Sequence, residues 1–401
     1  MRDYYCSEKF DYLEVRLYDG FVASCCNATP DRLTKDLLKN DPDGFFNWPK
    51  IVQEREQMLR NERVAGCEQT CWTVEDQGLK SRRHTKVYDF DAGVSGKVYT
   101  ETRRIPTKIN LVTNNNCNLT CSYCCKTFSS TWYRDIDEHG DYGIDGTEDR
   151  YKISNLDRVQ HKYSQKMLDE APISSMILDQ LERNIDKIKN ITITGGEPLL
   201  YSDIERILEF FSNQNIWIYT GMGVSNARLR KIMPLLERHG IRMFISAENT
   251  GRFHEFNRYG SNYEEFKENL ALIKSHCHVS FSSTISNLSI FDFNKFYQYN
   301  SDTTIKTMIV SDPAFMHPSV LDPASKEAIA NQMMKENVLD AEKLVSMMQL
   351  PADSYKQANM SKFLKRFVKS RNLDVNIFPA TFLDWLNTAP DVKIFPIKAQ
   401  T

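Results

Sequence analysis

From residue 106 to 311 the chain alternates short apolar runs with amphipathic stretches, and no other feature restricts its fold as much. Six runs read as strands: 107–113, 190–195, 215–220, 241–247, 278–285 and 303–310. Between them lie helical patterns such as SSMILDQLERNIDKI, DIERILEFF, ARLRKIMPLLERHG and NYEEFKENLALIKSH, the third closed by Gly240. Strands alternating with helices predict a parallel sheet built from βα units, hence an α/β fold. Doubly wound and barrel arrangements both satisfy that pattern. Upstream, DYLEVRLYDGFVASCC alternates apolar residues around Gly20 like paired strands, and 48–63 has helical spacing. The acidic, Gly-containing segment 134–150 reads as an insertion loop. Beyond 311 the text is helical, with KEAIANQMMKENVLDAEKLVSMMQ the clearest run.

The 401 residues suffice for two or three domains. A net charge of −2 gives no global attraction to nucleic acid or anionic membrane. No apolar run approaches the roughly 18 residues of a membrane span. The N-terminus, MRDYYCSEKFDYLEV, carries acids where a secretory signal has an apolar core, so a cytoplasmic location is expected. The KSRRHTK run (80–86) reads as a solvated face.

Ten cysteines need a different explanation, because disulfides are rare in a reducing compartment. Nine precede residue 126, and four fall within nine residues. Cys117, Cys121 and Cys124 form C-x3-C-x2-C just past the end of the first βα strand, where parallel α/β folds build their sites. Three thiolates hold three corners of a [4Fe–4S] cube and leave one iron open. A zinc site completed by Cys125 or a distant histidine fits the spacing as well. After the second strand comes Gly195-Gly196-Glu197-Pro198, two glycines for close backbone approach and a carboxylate that can meet an ammonium.

Together these residues resemble the radical S-adenosylmethionine (SAM) superfamily: C-x3-C-x2-C with Tyr123 before the last cysteine, then GGEP, in that order and at strand ends. The resemblance covers about residues 106–310 and implies a partial (β/α)6 barrel of the TIM type. It implies an open-iron [4Fe–4S] cluster on Cys117, Cys121 and Cys124, with SAM chelating the free iron. Reductive cleavage of SAM then gives a 5′-deoxyadenosyl radical that abstracts hydrogen from substrate. For the SAM pocket it implies Tyr123 near the adenine, Gly195, Gly196 and Glu197 near the amino group, and Ser246 and Glu248 near the ribose. Arg258 stands where related enzymes hold the SAM carboxylate, with a surface salt bridge as the plain alternative. Asn287 is a weaker candidate. No catalytic residue is assigned.

Cys6, Gly20 and Cys25 form C-x13-G-x4-C, and Cys67 and Cys71 form C-x3-C. The set resembles the twitch and SPASM auxiliary-cluster domains, here placed before the barrel instead of after it. It implies a second [4Fe–4S] cluster on Cys6, Cys25, Cys67 and Cys71, with zinc as the rival. The expected domains are 1–105 (auxiliary), 106–311 (partial barrel) and 312–401 (helical extension). Cys26 and Cys125 are read as packed or spare thiols, and the His276–Cys277–His278 cluster as a surface turn. Enzymes of this kind act on peptides or small polar molecules, so a peptide or natural-product precursor is the expected substrate. A flavodoxin- or ferredoxin-type electron donor and no membrane partner are expected. Rival readings are the same chemistry on a nucleotide or nucleic-acid base, and a non-catalytic iron–sulfur or zinc scaffold. Phe128, Trp132 and Tyr133, after the cysteine loop, either line a substrate mouth or pack.

Overall fold

The computed structural model describes residues 4–26, 28–41, 43–78, 81, 83, 98–146, 150–154 and 173–389. The chain divides into two compact units. One holds residues 1–114, 161–195 and 205–217; the other holds 115–160, 196–204 and 218–401.

In the first unit the strands are β1 (Tyr12–Arg16), β2 (Phe21–Ala23), β3 (Asp31–Arg32), β4 (Lys108–Val112) and β6 (Asn190–Thr194). β4 pairs in parallel with β6, Lys108 facing Asn190. Alternation places Ile109, Leu111, Ile191 and Ile193 in the core. The N-terminal segment does not stand apart from this sheet: β1 pairs in parallel with β4, Tyr12 opposite Lys108. β2 and β3 then add antiparallel strands. The reversal from β1 to β2 uses Gly20 at φ +70°, a conformation that favours glycine.

The second unit contains β8 (Arg242–Ile245), β10 (His278–Ile285) and β11 (Thr304–Ile309), all parallel. β7 (Asn215–Thr220) crosses the division. A short ladder, β5 (Thr120–Cys121) with β9 (Arg258–Tyr259), is antiparallel. Helices follow the strands as expected. Asn226–His239 starts under a Ser225 cap and ends at Gly240 in the left-handed region, while Tyr263–Lys274 starts under Asn262. The fold is therefore mixed α/β with a mostly parallel, unclosed sheet, and all six βα strands lie where the alternation puts them.

Two local expectations differ from the structure. The segment read as an insertion loop from 134 is helical to its first half: Ser130–His139 is a helix, because the Ser129 hydroxyl caps it and Trp132 and Ile136, four apart, are buried. The long run after 323 is two helices, Pro323–Lys335 and Ala341–Met348. Asn337 and Asp340 break it by adopting positive φ, which short polar side chains tolerate.

Candidate functional site

The loop that follows β4 carries Cys117, β5 carries Cys121, and a turn closed by the Cys124 N–H to the Cys121 carbonyl carries Cys124. Cys117 and Cys121 are buried with Leu119, and Tyr123 and Cys124 pack against them. The three thiols feel one another. Burial pushes Cys117 up to about 12, with Cys121 adding to it. Cys124 is raised well above its ordinary value by burial and by Cys121, Cys125 and Cys117. Thiols held protonated in this way become ligands only by giving up protons. Among the described residues no three His, Cys, Asp or Glu side chains converge tightly enough for a single metal ion. The loop is fixed by the Trp132 indole N–H on the Cys121 carbonyl at 3.0 Å and by the Ser122 hydroxyl on Asn257 at 2.9 Å.

Beside Cys121 lies a buried charge pair. β9 brings Arg258 opposite Cys121, and its Nη1 sits 3.9 Å from the Cys121 sulfur. Its Nη2 donates to Glu248 at 2.8 Å, and the Tyr123 hydroxyl donates to the other Glu248 oxygen at 3.1 Å. Arg258 and Glu248 are 3% and 0% exposed, so the surface-salt-bridge reading of Arg258 is excluded. Burial opposes the guanidinium charge, but Glu248, Tyr123 and Cys121 outweigh it and raise Arg258. Arg258 Nε is buried with no hydrogen-bond partner among the described residues, a donor to spare for an anionic group. Ser246, at the end of β8, is half-buried and its N–H donates to the Thr220 carbonyl.

The GGEP turn packs closely on the chain's own backbone. A Cβ on Gly195 would lie 2.5 Å from Thr113 Oγ1 and 2.7 Å from the Asn114 carbonyl oxygen. One on Gly196 would lie 2.5 Å from the Asn116 carbonyl oxygen. The two glycines thus let the turn press against backbone at the start of the cysteine loop. Glu197 is buried and accepts four hydrogen bonds: Thr220 Oγ1 at 2.6 Å and the N–H groups of Leu199, Gly221 and Gly223 at 3.2, 3.0 and 3.3 Å. Burial raises its carboxyl, and these four donors pull it back. Its partners in YTGMG escaped the sequence reading, although two glycines just past a strand were the available signal.

The N-terminal cysteines lie in the first unit. One cavity is lined by Cys6, Cys25, Cys67 and Cys71, with Lys9 and Trp72. Cys67 directly precedes the helical turn Glu68–Trp72 that carries Cys71. Burial pushes Cys6 up to about 12, with Cys25 adding to it, and Cys67 up to about 11. Cys26 is exposed and does not line the cavity. Of the KSRRHTK run only Ser81 and Arg83 are among the described residues, and Arg83 pairs with Glu75.

Other candidates are accounted for by packing. Cys125 is buried and accepts from Arg150 Nη1 at 3.8 Å. Asn287 Nδ2 donates to the Phe315 and Val320 carbonyls at 2.9 and 3.2 Å. His276 pairs with Glu237. Trp132 packs inside, whereas Phe128 is 52% exposed.

Residues 111–297 match the Radical SAM superfamily. Over 232 residues it is 24% identical to the radical SAM cyclopropyl synthase TigE of Paramaledivibacter caminithermalis. That match spans 55% of this chain and 45% of TigE, so the chain covers less than half of that relative. Among solved structures, anSMEcpe with bound AdoMet is 12% identical at TM-score 0.36, covering 57% of this chain and 60% of that one. Streptococcus suis SuiB bound to S-adenosylmethionine is 10% identical at TM-score 0.34, covering 86% and 76%. Scores this low carry no statement about shared fold or function.

Proposed function

We propose that the protein is a radical SAM enzyme whose [4Fe–4S] cluster is held by Cys117, Cys121 and Cys124. The observation that carries this reading is the packing together of Cys117 and Cys121, both buried, with the half-buried Cys124, beside the Arg258–Glu248–Tyr123 group and inside the matched superfamily segment. When bound, cluster and SAM supply the reductive cleavage to a 5′-deoxyadenosyl radical that abstracts hydrogen from substrate. The chain's own residues bind and orient. Glu248, held by Arg258 and Tyr123, uses two of its roughly four acceptor positions on them and keeps the others for ribose hydroxyls, with Ser246 beside it. Arg258 offers its unpartnered Nε–H to the SAM carboxylate. Glu197 anchors the loop after β7, and that loop together with Gly195 and Gly196 shapes the backbone that meets the SAM amino group. Tyr123 frames the adenine.

Cys6, Cys25, Cys67 and Cys71 hold a second [4Fe–4S] cluster in this reading, supported by the cavity they share. An auxiliary centre of that type favours a peptide or natural-product precursor as substrate, and a flavodoxin- or ferredoxin-type protein in the cytoplasm would supply the electron that reduces the cluster. No helix among the described residues is long and apolar enough to cross a membrane.

The test is anaerobic reconstitution with iron and sulfide analysis. Two cubes give about eight irons per chain. Cys67→Ala should leave about half, and so should Cys121→Ala. Zinc retained at Cys117, Cys121 and Cys124 in protein isolated anaerobically from cells would overturn the assignment.

A further inference from the structure

The four-cysteine cavity has a polar support that no cysteine spacing shows. Lys9, 1% exposed, donates through Nζ to Glu54 Oε2 at 2.6 Å and to Ser24 Oγ at 2.7 Å. The Ser24 hydroxyl in turn donates to Glu54 Oε2 at 3.1 Å. Each member touches a different cysteine-bearing segment. Lys9 lies three residues after Cys6, in the helix Glu8–Asp11, and Ser24 directly precedes Cys25. Glu54 reaches the segment of Cys67: a Cβ on Gly66 would stand 3.0 Å from Glu54 Oε1 and 4.0 Å from Lys9 Nζ. Arg55 Nε, donating to the Lys9 carbonyl at 2.9 Å, fixes the Lys9 backbone as well. Ser24 and Glu54 lie 15 and 45 residues from Lys9 in the chain, yet both bond its ammonium; Lys9 itself lines the cavity, and the other two stand behind it.

We propose that Lys9, Glu54 and Ser24 are positioning residues of the auxiliary centre: they hold the segments of Cys6, Cys25 and Cys67 in register and set the charge against which it is reduced. The inference rests on the iron–sulfur reading of these cysteines. Reduction adds one electron and no proton, so a cube with four thiolates gains one negative charge. A buried ammonium on the cavity wall stabilises that added charge, and a buried carboxylate opposes it.

The experiment is a dithionite redox titration of the reconstituted full chain, followed by electron paramagnetic resonance, in a Cys121→Ala background that leaves only the auxiliary centre. Glu54→Gln should shift the midpoint potential positive. Lys9→Met should shift it negative and lower iron retention. Lys9→Met/Glu54→Gln should fall between them, and Lys9→Arg should restore most of the wild-type potential. If Lys9→Met fails to fold, Glu54→Gln and the double variant still decide the sign. Equal potentials across the series, or a negative shift in Glu54→Gln, overturn the role of the triad. A Cys121→Ala protein that holds no iron overturns the auxiliary-centre reading itself.

Discussion

Glu197→Gln separates two roles that the GGEP carboxylate can have. The side chain accepts four hydrogen bonds, and all four partners donate. An ionised carboxylate satisfies them; an amide cannot, because one of its ends only donates. The least costly orientation keeps the amide oxygen on Gly221 and Gly223 and turns the NH2 toward Thr220 and Leu199. The Thr220 hydroxyl can turn to accept, but the Leu199 N–H cannot. One buried donor is left unpaired, at a cost of about 1–3 kcal/mol. Glu197→Ala removes all four acceptors and loses more. Urea unfolding of wild type, Gln and Ala variants, with SAM binding followed by calorimetry on the reconstituted proteins, gives both quantities. Stability and SAM affinity should fall together, Ala below Gln below wild type. A Gln variant within about 0.5 kcal/mol of wild type in stability that had lost SAM binding would refute the anchoring role. It would make the carboxylate a direct ligand contact instead.

Further outcomes follow from the same geometry. Arg258→Met leaves Glu248 buried without its cation and should destabilise by about 3–5 kcal/mol, measured by urea unfolding. His254 is buried against Phe266 and Tyr263, and burial, with Arg258 adding, lowers it from 6.5 to about 3. The unfolded chain therefore binds the extra proton between those values. Its contribution is complete above pH 6.5 and is lost as pH falls toward 3, about 5 kcal/mol in all. His254→Phe should flatten the stability profile across that window. Cys125→Ser should keep the iron content and SAM cleavage of wild type, since Cys125 packs against Arg150.

The sequence carried the repeating part of this fold well. Strand–helix alternation is local, so all six βα strands could be placed within a few residues. The cysteine spacing and GGEP were equally local, and they led to the buried thiols and to Glu197. What escaped depends on contacts between distant segments. Nothing near Tyr12 says that it pairs with Lys108, 96 residues on. Lys9 and Glu54 look like ordinary surface charges until the helices Glu8–Asp11 and Pro49–Leu59 bring them together at 2.6 Å. Arg258 read equally as surface or site, because only the β5–β9 ladder decides that it faces Cys121. The glycines of GGEP were legible as a need for close approach, but not that the approaching atoms are the chain's own Asn114 and Asn116.

The central claim is that three cysteines hold a cluster that cleaves SAM. Its most direct measurement is 5′-deoxyadenosine formation by the anaerobically reconstituted full chain, reduced with dithionite and supplied with SAM. Wild type and Cys125→Ser should form product, and Cys117→Ala, Cys121→Ala and Cys124→Ala should form none. An iron-loaded wild type that binds SAM and never cleaves it, or a Cys121→Ala variant that still does, would contradict it.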